Sequence, residues 1–146
     1  MKAADLILSK RYARAYLDLD GQAFSKHGET AFTARIKELQ AVLNAVSRYR
    51  RLLLHPLVGF DDKNEVVTRL LTKELRVSRA AAFTRLLIKE GRFYLMDAVI
   101  EDCMKFYNSY AGIGSARAAS RHPLEAEELR RAGAILSSAT GKKVHV

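Results

Sequence analysis

Apolar residues recur at three- and four-residue steps along most of this chain, and very little interrupts them. Phe32, Ile36, Leu39, Leu43 and Val46 follow steps of four, three, four and three, the seam of a long amphipathic helix over residues 30–48. The same periodicity predicts helices over 4–19, 49–54, 62–75, 79–89 and 93–110. In the first, Leu6, Ala13 and Leu17 share one stripe. Tyr12, Ala15, Tyr16 and Leu19 widen the apolar surface beyond it, as expected of a helix with a second partner or a central place in a bundle. The fourth points Val66, Val67, Leu70, Leu71 and Leu75 inward, with Asp61 as its N-cap. Ser78 caps the fifth, which carries Phe83, Leu86 and Leu87. The sixth aligns Met96, Val99, Cys103, Phe106 and Tyr110.

Breaks fall where backbone chemistry places them. Gly21 and Gly28 bracket one, His55-Pro56 closes the third helix because the residue before proline avoids helical geometry, and Gly91 ends the fifth. Only two prolines, Pro56 and Pro123, occur, and the first 105 residues hold four glycines. Six helices with short breaks imply a compact antiparallel bundle. Beyond it, Gly112-Ile113-Gly114-Ser115 reads as a linker, and Ala116 to Ser120 is a candidate strand. Pro123 starts a last helix, with Glu125, Glu127 and Glu128 in its first turn and Arg130 and Arg131 in the next, an order that suits the helix dipole. Thr140-Gly141 stops it, and Lys142 to Val146 alternates as an edge strand would. The expected class is mainly α: an N-terminal six-helix bundle over 1–111, then an incomplete small α/β segment over 112–146. A lone β-α-β fragment is a poor independent domain.

Composition narrows the functional classes. Hydrophobic residues make up 49% of the 146, enough for a core and too many for a disordered chain. One cysteine, Cys103, excludes an internal disulfide and suits a reducing compartment; its place in a helical seam favours a small buried residue over a reactive thiol. No apolar run approaches the roughly 20 residues of a membrane span. The N-terminus carries Asp5, Asp18 and Asp20 among Lys10, Arg11 and Arg14 and lacks a cleavable apolar core, so a soluble, cytoplasm-facing protein is expected. The net charge of +9 is spread along the chain; its densest knot is Arg48, Arg50 and Arg51, interleaved with Tyr49 and Leu52. Solvated helix faces account for it, with a basic helical nucleic-acid binder as the alternative.

Catalytic chemistry finds no residues to carry it. His27, His55, His122 and His145 are far apart and share no metal-ligand spacing with Cys103. No Walker loop, nucleophile elbow or ordered acid–base pair occurs, and Gly112-x-Gly114-Ser115 follows a helix rather than a strand, unlike a phosphate cradle. No catalytic residue, metal or cofactor is expected.

Several segments together resemble one family. Arg11-Tyr12-Ala13-Arg14-Ala15-Tyr16-Leu17 is similar to the opening helix of F-type ATP synthase delta subunits, the family of the mitochondrial oligomycin-sensitivity-conferring protein. Leu52-Leu53-Leu54-His55-Pro56-Leu57-Val58 and the Lys63-bearing helix after it resemble its middle. Phe83-Thr84-Arg85-Leu86-Leu87-Ile88-Lys89-Glu90-Gly91-Arg92-Phe93 resembles its junction between fifth and sixth helices. Ser115 to Leu124 and Gly141-Lys142-Lys143-Val144 look like the start of its C-terminal domain, which family members continue for about 30 residues more.

The resemblance implies a non-catalytic stator connector of a bacterial synthase, on the cytoplasmic face of the inner membrane and peripheral to it through the complex. The bundle would bind the alpha/beta head through alpha-subunit N-terminal helices, and the C-terminal segment the b-subunit stalk, so that proton flow drives ATP synthesis. By position, the head-binding groove would use Tyr12, Ala15, Tyr16, Leu19, Phe83, Leu87 and Ile88. Arg92 would instead cap or pair within the bundle.

Overall fold

The computed structural model describes residues 1–19 and 28–146; the predicted break at Gly21, together with His27, lies outside them. The chain is mainly helical with one small sheet, and it divides into two compact units, Met1–Met104 and Lys105–Val146.

The first unit opens with α1 (Ala3–Leu17) and α2 (Gly28–Val46). In α1, Ala13, Tyr16 and Leu17 are fully buried, whereas Leu6, expected on the inner stripe, is 48% exposed. In α2, Phe32, Ile36, Leu39 and Val46 are buried as the seam requires, but Val42 completes it and Leu43 is only half-buried. α2 packs against both α4 and α6, so the covered strip is wider than one heptad seam and takes in the residue beside it.

A 3-10 turn, Ser47–Tyr49, leads into α3 (Arg50–Leu54), which ends where His55 turns extended before Pro56. α4 (Phe60–Leu70) starts earlier than expected: Gly59 is the N-cap, and Asp61 and Asp62 lie in the first turn, favourably placed at the positive end of the dipole. The single helix predicted over 62–75 is broken. Leu71 is extended and buried, and α5 (Lys73–Arg76) restarts after Thr72. The Arg76 guanidinium donates to the Leu71 carbonyl at 3.0 Å and satisfies a group the break frees.

α6 (Arg79–Lys89) is the centre of this unit, packed on α2, α4 and α5, with Ala80, Ala81, Phe83, Thr84, Leu87 and Ile88 buried. The Ser78 hydroxyl caps it by accepting from the Ala81 amide at 3.0 Å. Arg85 ties it to α4, donating to Asn64 Oδ1 at 2.8 Å. Its C-terminus closes at Gly91, φ +68°, in a Schellman turn: Arg92 N–H donates to the Leu87 carbonyl at 2.7 Å and Gly91 N–H to Ile88 at 3.1 Å. A 3-10 turn, Phe93–Leu95, then enters α7 (Met96–Tyr110), where Met96, Val99 and Cys103 are buried and Phe106 and Tyr110 half-buried. The division between the units falls inside α7.

In the second unit, β1 (Ile113–Ser115) and β2 (Lys143–His145) pair in parallel through α8 (Ala126–Thr140), with Gly114 opposite Val144. The strand therefore lies within the segment read as a linker, and 116–120 forms no strand. A Cβ on Gly114 would come 3.3 Å from a Val144 methyl, so glycine here permits close pairing rather than slack. α8 begins after Pro123, with Glu125 as N-cap and the Glu128 carboxylate accepting its amide at 2.9 Å. It ends at Gly141 and packs on β2.

Candidate functional site

The helical repeat brings Tyr12 and Tyr16 one turn apart on α1, and both meet Phe83 of α6. The Tyr16 ring lies 4.9 Å from Phe83 and tilted by 38°; Tyr12 meets it edge-on at 6.1 Å. Both geometries favour aromatic contact beyond area burial. Tyr16 is fully buried and its hydroxyl donates to the Arg35 carbonyl of α2 at 2.8 Å. Burial, with the Glu38 charge as a lesser cause, pushes its phenol well above the ordinary tyrosine range. Arg35 in turn donates to the Leu17 carbonyl, closing the end of α1.

Tyr12 is half-buried and held from the other side. Arg92 donates to its hydroxyl at 2.6 Å, and its guanidinium carbon sits 5.8 Å from the ring centroid. Arg92 thus pairs inside the first unit, as expected of it. The Schellman turn at Gly91 is what aims this side chain back at α1.

The seven expected groove residues divide by burial. Tyr16, Leu87 and Ile88 are core, Phe83 is 7% exposed, Tyr12 is half-buried, and Ala15 and Leu19 are exposed. Leu19 and Phe83 line a shallow depression of about 390 Å³ completed by Arg79, Ala82 and Leu86. These last three were not among the expected residues. Leu86, grouped in the sequence with Phe83 and Leu87 on this helix, is 46% exposed. The signal for them is the i, i+3, i+7 row Arg79–Ala82–Leu86, which runs alongside the more apolar buried row of the same helix.

The basic knot is partly spent inside the fold: Arg50 forms an ion pair with Asp97 of α7, and the hydrogen bond to that carboxylate raises the guanidinium pKa. Among the described residues, no group of three or more His, Cys, Asp or Glu is placed to hold a metal ion. None of the described helices is long and apolar enough to cross a membrane.

The family model described as ATP synthase delta (OSCP) subunit matches residues 8–146. The chain is similar to ATP synthase subunit delta of Geotalea uraniireducens (strain Rf4), with 23% identity over 138 residues, 94% of this chain and 74% of the relative. It is also similar to ATP synthase subunit delta of Heliobacterium modesticaldum, 26% identical over 146 residues, covering 94% of this chain and 72% of that protein. The same subunit of Parvibaculum lavamentivorans is 26% identical over 136 residues, covering 93% and 69%.

Proposed function

The chain belongs to the ATP synthase delta (OSCP) subunit family, and on that premise we propose that it links the alpha/beta head of a bacterial F-type synthase to the b-subunit stalk. It is a structural subunit of a membrane-associated complex, without bond chemistry of its own. Residues 1–111 would hold the head, at N-terminal helices of the alpha subunits, and residues 112–146 would face the stalk. Its place would be the cytoplasmic side of the inner membrane, attached through the complex.

The observation that carries this reading is the open depression between the end of α1 and the exposed row of α6. An amphipathic helix needs apolar anchor sites on a rigid floor. Leu19, Ala82 and Leu86 offer the sites, and the Tyr12–Tyr16–Phe83 cluster supplies the floor. Arg79 at the edge offers a charge to set register.

The test uses exposed positions. Ala82→Arg and Leu86→Asp keep parental helicity and thermal midpoint, and each weakens binding of an alpha N-terminal peptide at least about tenfold by fluorescence anisotropy. Binding equal to the parent sinks the groove assignment. Tyr16→Asp is a poor probe, because it places a charge in a fully buried site and unfolds the floor itself.

A further inference from the structure

A second opening, separate from the depression between α1 and α6, lies where the end of α3, the His55–Gly59 turn, the start of α4 and the Gly91 junction converge. It encloses about 540 Å³. Leu53, Phe60, Ile88 and Phe93 form apolar walls, and Leu54 and Tyr94 line it while remaining 41% and 47% exposed. The volume lies within the range of ligand pockets and admits more than one side chain.

Lys63 lines this pocket and is only 9% exposed. Lysine is rarely buried without a partner, because desolvating an ammonium is costly. Among the described residues, no hydrogen bond or ion pair holds its ammonium. Nor does any described side-chain nitrogen lie both sealed from solvent and unpartnered, so the ammonium of this pocket-lining residue keeps some exposure to solvent. Packing of its four-carbon stem accounts for the burial of the stem and leaves three donors unused.

The charge around it has one sign. Lys89 also lines the pocket, and no lining residue is acidic. Asp61 and Asp62 of the same helix are exposed and do not line it. Lys63 also sits one turn into α4, close to the positive end of the helix dipole. A site of two cations, apolar walls and no counter-charge complements a carboxylate carried among apolar groups.

We propose that this pocket receives an Asp or Glu side chain, flanked by apolar residues, from a neighbouring subunit of the synthase. Lys63 pairs with the carboxylate, Lys89 adds its charge beside it, and Leu54 and Tyr94 cover the flanking side chains. The inference rests on membership of the complex and does not depend on the groove between α1 and α6.

Zero-length carbodiimide coupling of the assembled complex, containing the full chain, tests it. The reagent activates a carboxylate, a lysine amine within contact attacks, an amide forms and the urea leaves. The expected product joins Lys63 to an Asp or Glu of another subunit, read by mass spectrometry. Lys63→Met abolishes that product, keeps the parental thermal midpoint, and raises the Kd of the chain for the rest of the complex about tenfold. The proposal is overturned if Lys63 stays unmodified while exposed lysines couple, or if it couples only to Asp61 or Asp62 of its own chain. It is also overturned if octanoate shields Lys63 in the isolated chain and no subunit link forms, an outcome that assigns the pocket to a small amphiphile. Failure of the chain to enter the complex at all overturns the connector reading first, and this proposal with it.

Discussion

Cys103 shows how much of a residue's chemistry is set by its surroundings. Its sulfur lies 3.9 Å from the Ala13 carbonyl, between α7 and α1, with no exposed surface. Burial, aided by the neighbouring Asp102 charge, pushes the thiol from 9.0 up to about 12. The sign of the linkage follows. Between those values the unfolded chain has released the proton and the folded chain still holds it, so stability falls as pH rises. One such group contributes a slope of up to about 1.4 kcal/mol per pH unit. Urea unfolding at intervals from pH 8 to 11 should show this decline, and Cys103→Ala should flatten it; an unchanged slope in the variant contradicts the assignment. The adjacent Asp102 tells the opposite story. It is 6% exposed and accepts from the fully buried Ser9 hydroxyl at 2.6 Å, a polar link from α7 to α1 that periodicity, which sends polar residues outward, does not reveal.

At the scale of elements, boundaries follow local chemistry wherever that chemistry is strong. Ser78, His55-Pro56 and Gly91 were legible in advance because a cap, a proline clash and a left-handed turn each act within a few residues. Gly91 carries the sharpest prediction. A Cβ there meets nothing within 4 Å, so Gly91→Ala suffers backbone strain alone, about 1–2 kcal/mol in urea unfolding. Gly91→Asn should lose less, since asparagine tolerates this turn, and equal losses would point to a cause other than φ. The break at Leu71 was not legible, because Val67, Leu70 and Leu71 fit a continuing helix. What ends α4 is partly the Arg76 guanidinium on the Leu71 carbonyl, together with burial of the extended Leu71. The strand at 113–115 was hidden by glycines, which look like slack in sequence and serve close pairing in the fold.

For the whole molecule, a connector needs two grips that fail separately. A chain ending after Gly112 should bind the alpha N-terminal peptide within about threefold of the full chain, provided circular dichroism shows its helices intact, yet lose retention on the b-subunit stalk in pull-down. Loss of peptide binding by a folded fragment would show that head recognition needs residues 113–146. The convergence beneath the proposed groove was legible in part. Tyr12, Tyr16 and Phe83 do converge, but four of the seven expected contact residues are buried, whereas Ala82 and Leu86, not among them, are exposed.

The amino-acid sequence alone determined the helical class, most of the helix ends and the family, because periodicity, caps and motif order are local or linear properties. It also left catalytic chemistry without residues to carry it. Tertiary structure decided which apolar residues are covered, Val42 more fully than Leu43, and Leu6 and Leu86 left open. It also placed the Ser9–Asp102 link and the largely buried side chain of Lys63. Periodicity assigns a direction around one helix axis, whereas burial depends on how many neighbours stand in that direction, and that number exists only once the helices have packed.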